Sequence, residues 1–229
     1  MTKLMIVAGG KWQVPLVKRA HDLGYEVINV NPFEDSPGFK YADETVLLDV
    51  LDQEGVLEAA REFAIDGIVT DQSDIAVPTV AYVAETLGLP GIGLETAELF
   101  TNKFKMREFA AQHGFPVPRY TLAHSVDELK DFVQGPTIVK PLNSQSSRGI
   151  SKITTPAEAK EAFNLASSYS HGTSSVIAEA FIQGTEFTVD GIFVDGVHHT
   201  LAMSKKEHFD FNPTIAKALW FNPLIPELT

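Results

Sequence analysis

An apolar run, Thr137-Ile138-Val139, ends in Lys140 and Pro141, and a loop of small polar residues, Asn143-Ser144-Gln145-Ser146-Ser147-Arg148-Gly149, leads into a second apolar run at Ile150. A lysine fixed at a strand end beside a serine-rich loop suits a polyphosphate, because backbone N–H groups, hydroxyls and one ammonium can converge on the same oxygens. Lys103 stands upstream, and Glu179 and Glu186 stand downstream. Taken singly, each has a plain explanation. Lys140 reads equally as a solvated strand-end lysine, and the two glutamates as solvated strand carboxylates. Their order and spacing are what point to nucleotide chemistry.

The elements that must position these residues fall into two patterns. From Leu4 to about Leu89, short apolar runs alternate with amphipathic stretches, the signature of βαβ units around a parallel sheet. Strands are expected at Leu4–Ala8, Glu26–Asn31 and Ile65–Thr70, with helices at 14–23, 53–64 and 75–87, the last closed by Gly88. After Pro90-Gly91-Ile92-Gly93 the pattern becomes α+β. Thr101 is placed to cap a helix over 102–113 that stops at Gly114, with Pro116 and Pro118 beyond it. Ser125 to Glu128 has capping-box spacing before Leu129 and Phe132, and Thr155-Pro156-Ala157-Glu158 places a cap and a first-turn proline before a further helix that runs to Ser168. Strands are expected at 119–122, 137–141, 150–154 and 176–180. Two alternating runs, 186–194 and 197–203, flank Asp195-Gly196, a strong hairpin signal.

Composition removes several kinds of chemistry. The chain has 229 residues and no cysteine, so disulfides, thiolate metal sites and a thiol nucleophile are excluded. A net charge of −12 gives no basic field for nucleic acid or an acidic membrane surface; an anionic ligand must be held by local donors and a divalent cation. No apolar run approaches the roughly 20 residues that span a bilayer, and Met1 leads directly into a strand with no cleavage-type signal, so a soluble, cytoplasmic protein is expected. His171, His198, His199 and His208 lack metal-ligand spacing. Gly9-Gly10 lacks the third spaced glycine of a dinucleotide fingerprint, which weighs against a Rossmann oxidoreductase.

Five segments in order, Thr101–Phe109, Gly114–Pro118, Ile138–Pro141, Ser144–Ile150 and Glu179–Asp190, resemble the ATP-grasp superfamily, in the branch of biotin carboxylase, the carbamoyl-phosphate synthase large subunit and the purine-pathway ligases. The resemblance covers nearly the whole chain, including Asp35-Ser36-Pro37 and Ala42-Asp43. It implies an α/β protein: a doubly wound pre-ATP-grasp domain over 1–95, an ATP-grasp lid subdomain over 96–183, and the incomplete start of the second ATP-grasp subdomain over 184–229. It implies that Lys103 and Lys140 hold ATP phosphates, with Ser144, Ser146, Ser147 and Gly149 on the loop that folds over them. Ser146 stands where the loop of the family usually has another glycine. Glu179, Ala180, Phe181 and Ile182 would form the strand linking the subdomains, where the backbone of Ala180 and Ile182 meets adenine, and Glu186 would accept from the ribose. Lys205 or Lys206, expected just past the hairpin, would face the phosphates from the other side or remain surface lysines.

Two substrates and a metal complete the implied chemistry. The second substrate would lie against strand ends of the first domain, at Gly10, Lys11, Asp71 and Ser73; Asp71 and Asp74 serve equally as helix caps. The Mg²⁺ ligands of the family, a glutamate followed by a glutamate and an asparagine on later strands, have no match before Thr229, so none is assigned in this chain; Glu207, Asp210 and Glu227 are acidic but differently placed. With no long periodic run from Phe209 to Thr229, the rest of the domain is expected beyond the sequence, and apolar surface exposed by such a truncation can drive association into a homodimer. The implied activity is an ADP-forming ligase joining a small-molecule carboxylate to an amine or other nucleophile through an acyl phosphate; the alternative is a nucleotide-binding module without catalysis. Both require two ammonium groups, distant in sequence, to meet across one cleft.

Overall fold

Alternating apolar and amphipathic segments build the first unit. The computed structural model of the chain describes residues 2–210 and 212–221. Within it, β1 (Lys3–Val7), α1 (Val14–Asp22), β2 (Glu26–Asn31), β3 (Glu44–Leu47), α2 (Gln53–Phe63), β4 (Gly67–Val69) and α3 (Val77–Leu87) follow in order. The strands form one parallel sheet, β3-β2-β1-β4. Met5 and Val7 of β1 pack with Val56, Leu57 and Ala60 of α2 and with Val83 and Ala84 of α3, while Ile6 packs with Val17 and Ala20 of α1. Burial on both faces is why this strand reads as a continuous apolar run. Strand β3 had no expected counterpart: Glu44, Thr45 and Leu47 are exposed at the sheet edge, so no core imposes a pattern on them. A 3₁₀ turn at Asp74–Ala76 precedes α3, which Gly88 closes at φ 66°. Neither Asp71 nor Asp74 caps this helix; no side chain caps either segment.

The second unit starts with a helix the sequence reading did not contain, α4 (Leu94–Thr101), followed by α5 (Lys103–Gln112), β5 (Tyr120–Ala123), α6 (Val126–Phe132), β6 (Thr137–Pro141), β7 (Ser151–Ile153), α7 (Ala159–Ser168) and β8 (Val176–Ala180). The cap of α5 is Asn102 rather than Thr101. Asn102 Oδ1 accepts from the N–H groups of Phe104 and Lys105, whereas the Thr101 hydroxyl finishes α4 by donating to the Ala97 carbonyl at 2.8 Å. Ser125 caps α6, with Glu128 reaching back to the His124 N–H, and a full capping box at Thr155 and Glu158 opens the 3₁₀ turn that runs into α7. The antiparallel sheet β5-β8-β6-β7 buries Ala123, Val139, Val176 and Ala178 against Leu129 of α6 and Phe163 of α7. Its other face carries Tyr120, Ile138, Lys140 and Glu179, and α5 lies against it, with Phe104 edge-on to Tyr120 at 5.8 Å.

The last unit is an antiparallel sheet of β9 (Glu186–Val194), β10 (Val197–Phe209) and β11 (Asn212–Phe221), in the order β11-β10-β9. Asp195 and Gly196 join β9 to β10 with φ 50° and 79°, the two left-handed conformations that a type I′ turn requires. Strand β10 continues to Phe209, so Lys205 and Lys206 lie within it and not past the hairpin. The stretch from 212 to 221 forms a strand in spite of Pro213, which an edge strand tolerates. Residues 222–229, with Pro223, Pro226 and Glu227, lie outside the described residues. Among the described residues no helix is long and apolar enough to cross a membrane.

Candidate nucleotide site

The first turn of α5 and the loop after β6 meet around a cavity of about 240 Å³ lined by Asp74, Thr101, Lys103, Met106, Asn143 and residues 144–148. The Lys103 N–H donates to the Leu142 carbonyl at 2.9 Å, and its ammonium donates to the Ser144 carbonyl at 2.6 Å, which ties the helix start to the loop. Ser146 and Ser147 take φ 60° and 56°, and Gly149 takes φ 69°. A Cβ at Gly149 would lie 2.9 Å from Tyr169 and 3.0 Å from Pro141, so the glycine is required there by both conformation and space. Two consecutive serines in the left-handed region mark a backbone held in a sparsely populated shape, as occurs at ligand clamps.

Lys140, on β6, reaches Glu179 on β8, whose other oxygen takes the Arg107 guanidinium. Glu179 is 4% exposed. Burial pushes its carboxyl upward, but the charge and hydrogen bond of Lys140 and the hydrogen bond and charge of Arg107 outweigh this and hold it below the usual carboxylate range. Glu179 is therefore a buried, doubly paired anion and not a solvated strand carboxylate. Lys103 belongs to the same electrostatic group. Burial lowers the pKa of its ammonium first, and repulsion from Lys140 lowers it further, against the attraction of Asp74 and Glu179. Lys103 thus lies within reach of the Lys140 charge.

Beyond β8 the linking segment is open. The Ala180 N–H donates to the Arg119 carbonyl and the Phe181 N–H to the Pro136 carbonyl, while Ile182 is 68% exposed. The ammonium of Lys152, on β7, sits 3.6 Å from the centre of the Phe181 ring. Glu186, at the start of β9, pairs with Lys206 at 2.6 Å and His208 at 2.9 Å. Burial raises its carboxyl, yet these two partners bring it below its ordinary value. Lys206 stands opposite Glu186 in the register, so Lys205 is turned to the other face of the sheet and does not join this set.

In the first domain, Ala8 and Gln72 follow β1 and β4 with φ 79° and 54°. Gln13, 5% exposed, donates from Nε2 to the Asp71 carbonyl at 2.7 Å, and its N–H donates to the Gly10 carbonyl at 3.0 Å. Asp71 Oδ1 is buried without a hydrogen-bond partner, and burial raises its carboxyl. Ser73 is buried, whereas Lys11 is exposed and stands over the Trp12 ring. These residues are brought together at strand ends, as in other open α/β sheets. The N–H of Asp74 donates to Gln145 Oε1 at 2.8 Å and so joins this segment to the loop after β6.

Arg107 and Gln145 carry no role in the sequence reading. The signal for Arg107 was its position four residues after Lys103, which places both on one face of a helix; the Gln145 contact joins segments 71 residues apart and left no local trace.

The described residues do not by themselves fit a divalent cation. Glu179 and Glu186 are each paired with two basic side chains, and no group of three or more His, Cys, Asp or Glu among the described residues could hold a metal.

Two family models match: the ATP-grasp N-terminal domain over residues 17–91 and the ATP-grasp domain over residues 133–221. The chain belongs to the ATP-grasp superfamily. One ATP-grasp relative is the formate-dependent phosphoribosylglycinamide formyltransferase of Synechococcus elongatus, 31% identical over 186 residues that make up 79% of this chain and 47% of the relative. Among solved structures, the L-amino acid ligase of Bacillus licheniformis has a TM-score of 0.76 at 28% identity, covering 93% of this chain and 52% of that one. The biotin carboxylase domain of the Hydrogenobacter thermophilus 2-oxoglutarate carboxylase, solved with MgADP, ADP and bicarbonate, has a TM-score of 0.75 at 19% identity over 91% of this chain and 51% of its own, and shares the fold. The chain spans about half the length of the curated ATP-grasp relatives it matches.

Proposed function

We propose that this chain is the nucleotide-binding half of a cytoplasmic, ADP-forming ligase that activates a small-molecule carboxylate as an acyl phosphate for capture by an amine or another nucleophile. One observation carries the reading: Lys103 lines the loop cavity with its ammonium on the Ser144 carbonyl, and Lys140, on a separate element, is close enough to add its repulsion to the burial that lowers the Lys103 pKa. A polyphosphate relieves that repulsion. In this reading Lys103 and Lys140 neutralise the phosphates, Ser144, Ser146, Ser147 and Gly149 supply hydroxyls and N–H groups, segment 180–182 takes the adenine, and Glu186 takes the ribose. Residues 1–95 carry the second-substrate surface at Gly10, Lys11, Asp71 and Ser73, residues 96–183 the lid, and residues 184–229 the opening of the second subdomain. The protein contributes alignment and charge neutralisation, and ATP supplies the activation.

A second reading is a nucleotide-binding module without turnover, and the observation that favours it is that Glu179 and Glu186 are each already paired with two basic side chains. The two are separated by titrating ATP while measuring phosphate release. Binding without release supports the module, and release supports the ligase. In either case Lys140→Ala is expected to weaken ATP by about 2–4 kcal/mol, the scale of one lost charge-stabilising donor; unchanged affinity in that variant overturns both.

A further inference from the structure

Helix α5 places Lys103 and Arg107 one turn apart on the side that meets the open face of the lid sheet. The cross-strand row through Glu179 consists of Tyr120 on β5, Glu179 on β8, Ile138 on β6 and Lys152 on β7, with Lys140 two residues along β6 on the same face. The titratable and charged groups facing Glu179 are thus Arg107 and Lys103 from α5, Lys140 from β6, Tyr120 from β5 and, at the far end of the row, Lys152 from β7. The carboxylate divides its oxygens between two of them, Oε1 to Arg107 Nε and Oε2 to Lys140 Nζ. The two cations are not equivalent. A guanidinium keeps its proton and presents a rigid planar fork, whereas an ammonium is a compact charge on a flexible stem that can follow another anion.

On the reading that a nucleotide occupies the loop cavity, Lys140 is required in two places. Every step it takes toward a phosphate removes a counter-ion from a carboxylate that is almost fully enclosed, and a buried anion without a partner is strongly disfavoured. We propose that Arg107 is a positioning residue of the nucleotide site: it holds Glu179 as a fixed carboxylate, so that Lys140 is free to turn from that carboxylate to a bound phosphate. Arg107 does not touch the nucleotide in this assignment and acts through Glu179 alone.

Removing the guanidinium leaves Glu179 dependent on Lys140. ATP must then either leave Lys140 where it is and bind weakly, or draw it away and force Glu179 to take up a proton. The test is calorimetric titration of ATP, with Mg²⁺ present, into the full chain at pH 6 and pH 8, in pairs of buffers that differ in ionisation enthalpy. For Arg107→Met we expect affinity about ten- to a hundredfold weaker than in the unsubstituted chain at pH 8, a smaller loss at pH 6, and extra proton uptake on binding. Arg107→Lys should recover most of the affinity, and Arg107→Met combined with Glu179→Gln should abolish the extra proton uptake. A purely structural role for Arg107 moves stability without moving the proton count. If the unsubstituted chain binds ATP and Arg107→Met binds it with the same affinity and proton count, the role of Arg107 is overturned and the nucleotide site stands. If the unsubstituted chain binds no ATP, both are overturned.

Discussion

Glu179→Gln removes one charge from a buried cluster while keeping its shape, and its consequences can be worked from the geometry. The substitution leaves Arg107 and Lys140 without the anion they share, and takes from Lys103 one of the two anions that attract it. Removing one partner of a fully buried ion pair costs about 3–5 kcal/mol. Here the side chains of Lys140 and Arg107 retain 23% and 31% exposure, so water screens the residual charge, and the expected loss is about 2 kcal/mol. For a chain of this size that corresponds to a fall in Tm of about 4–8 °C. The folded pKa of Glu179 lies below its ordinary value of 4.5, so the stability it confers is present above that value and is lost as pH falls through the folded pKa. The gap in Tm between the unsubstituted chain and Glu179→Gln should therefore be constant at neutral pH and close in acid. ATP supplies the missing negative charge, so its stabilising shift should be larger in the variant. Differential scanning fluorimetry with and without ATP, across pH, measures all three. Equal Tm values at neutral pH, or an ATP shift no larger than in the unsubstituted chain, would refute the assignment of Glu179 as counter-ion to the lysine pair.

Gly149→Ala forces a left-handed alanine against Tyr169 and Pro141 and should destabilise by about 1–3 kcal/mol, read from the midpoint of urea unfolding. Asn102→Ala removes the acceptor for two N–H groups at the start of α5 and should cost about 1 kcal/mol in a thermal melt, with ATP affinity falling as the first turn frays around Lys103. Glu158 accepts from the N–H groups and hydroxyls of Thr154 and Thr155, and its pKa is lowered to about 2; an NMR titration should find that midpoint, and the stability it lends is present above its ordinary 4.5 and lost as pH falls toward 2. Gln145→Ala frees the Asp74 N–H, and hydrogen exchange should accelerate both at Asp74 and across residues 144–149.

Much of the fold could be read because its determinants are local. Strand β1 is buried on both faces and reads as a continuous apolar run; α2 repeats Val56, Leu57 and Ala60 toward the core; the Asp195-Gly196 turn follows from two positive φ angles. The elements that escaped are those with little core to impose a pattern. Strand β3 lies exposed at an edge, α4 buries only Ala97, and β11 forms through pairing with β10 despite Pro213. Thr101 and Asn102 are both good caps by type, and only the preceding helix, invisible as a pattern, decides between them. The site divides in the same way. Lys103, Lys140 and the serine loop stand out in the sequence as an ordered set, whereas the state of Glu179 does not, because its burial depends on α5 lying across the β5-β8-β6-β7 sheet and bringing Arg107 to it.

On the proposed reading, the charge arrangement gives an acidic chain a means of holding an anion. With a net charge of −12, the long-range field opposes a polyphosphate, so attraction must be local and weakly screened. The fold gathers basic side chains at one face of the β5-β8-β6-β7 sheet, and Glu179, enclosed among them, is already neutralised. Each remaining piece of the site has a resting partner of its own: Lys103 holds the Ser144 carbonyl, Lys140 holds Glu179, and Glu186 is held by Lys206 and His208. On the proposed reading a polyphosphate enters by exchange of partners and not by filling a set of free charges. The groups that are not exchanged, Arg107 above all, fix the energy of the state to which the mobile lysines return.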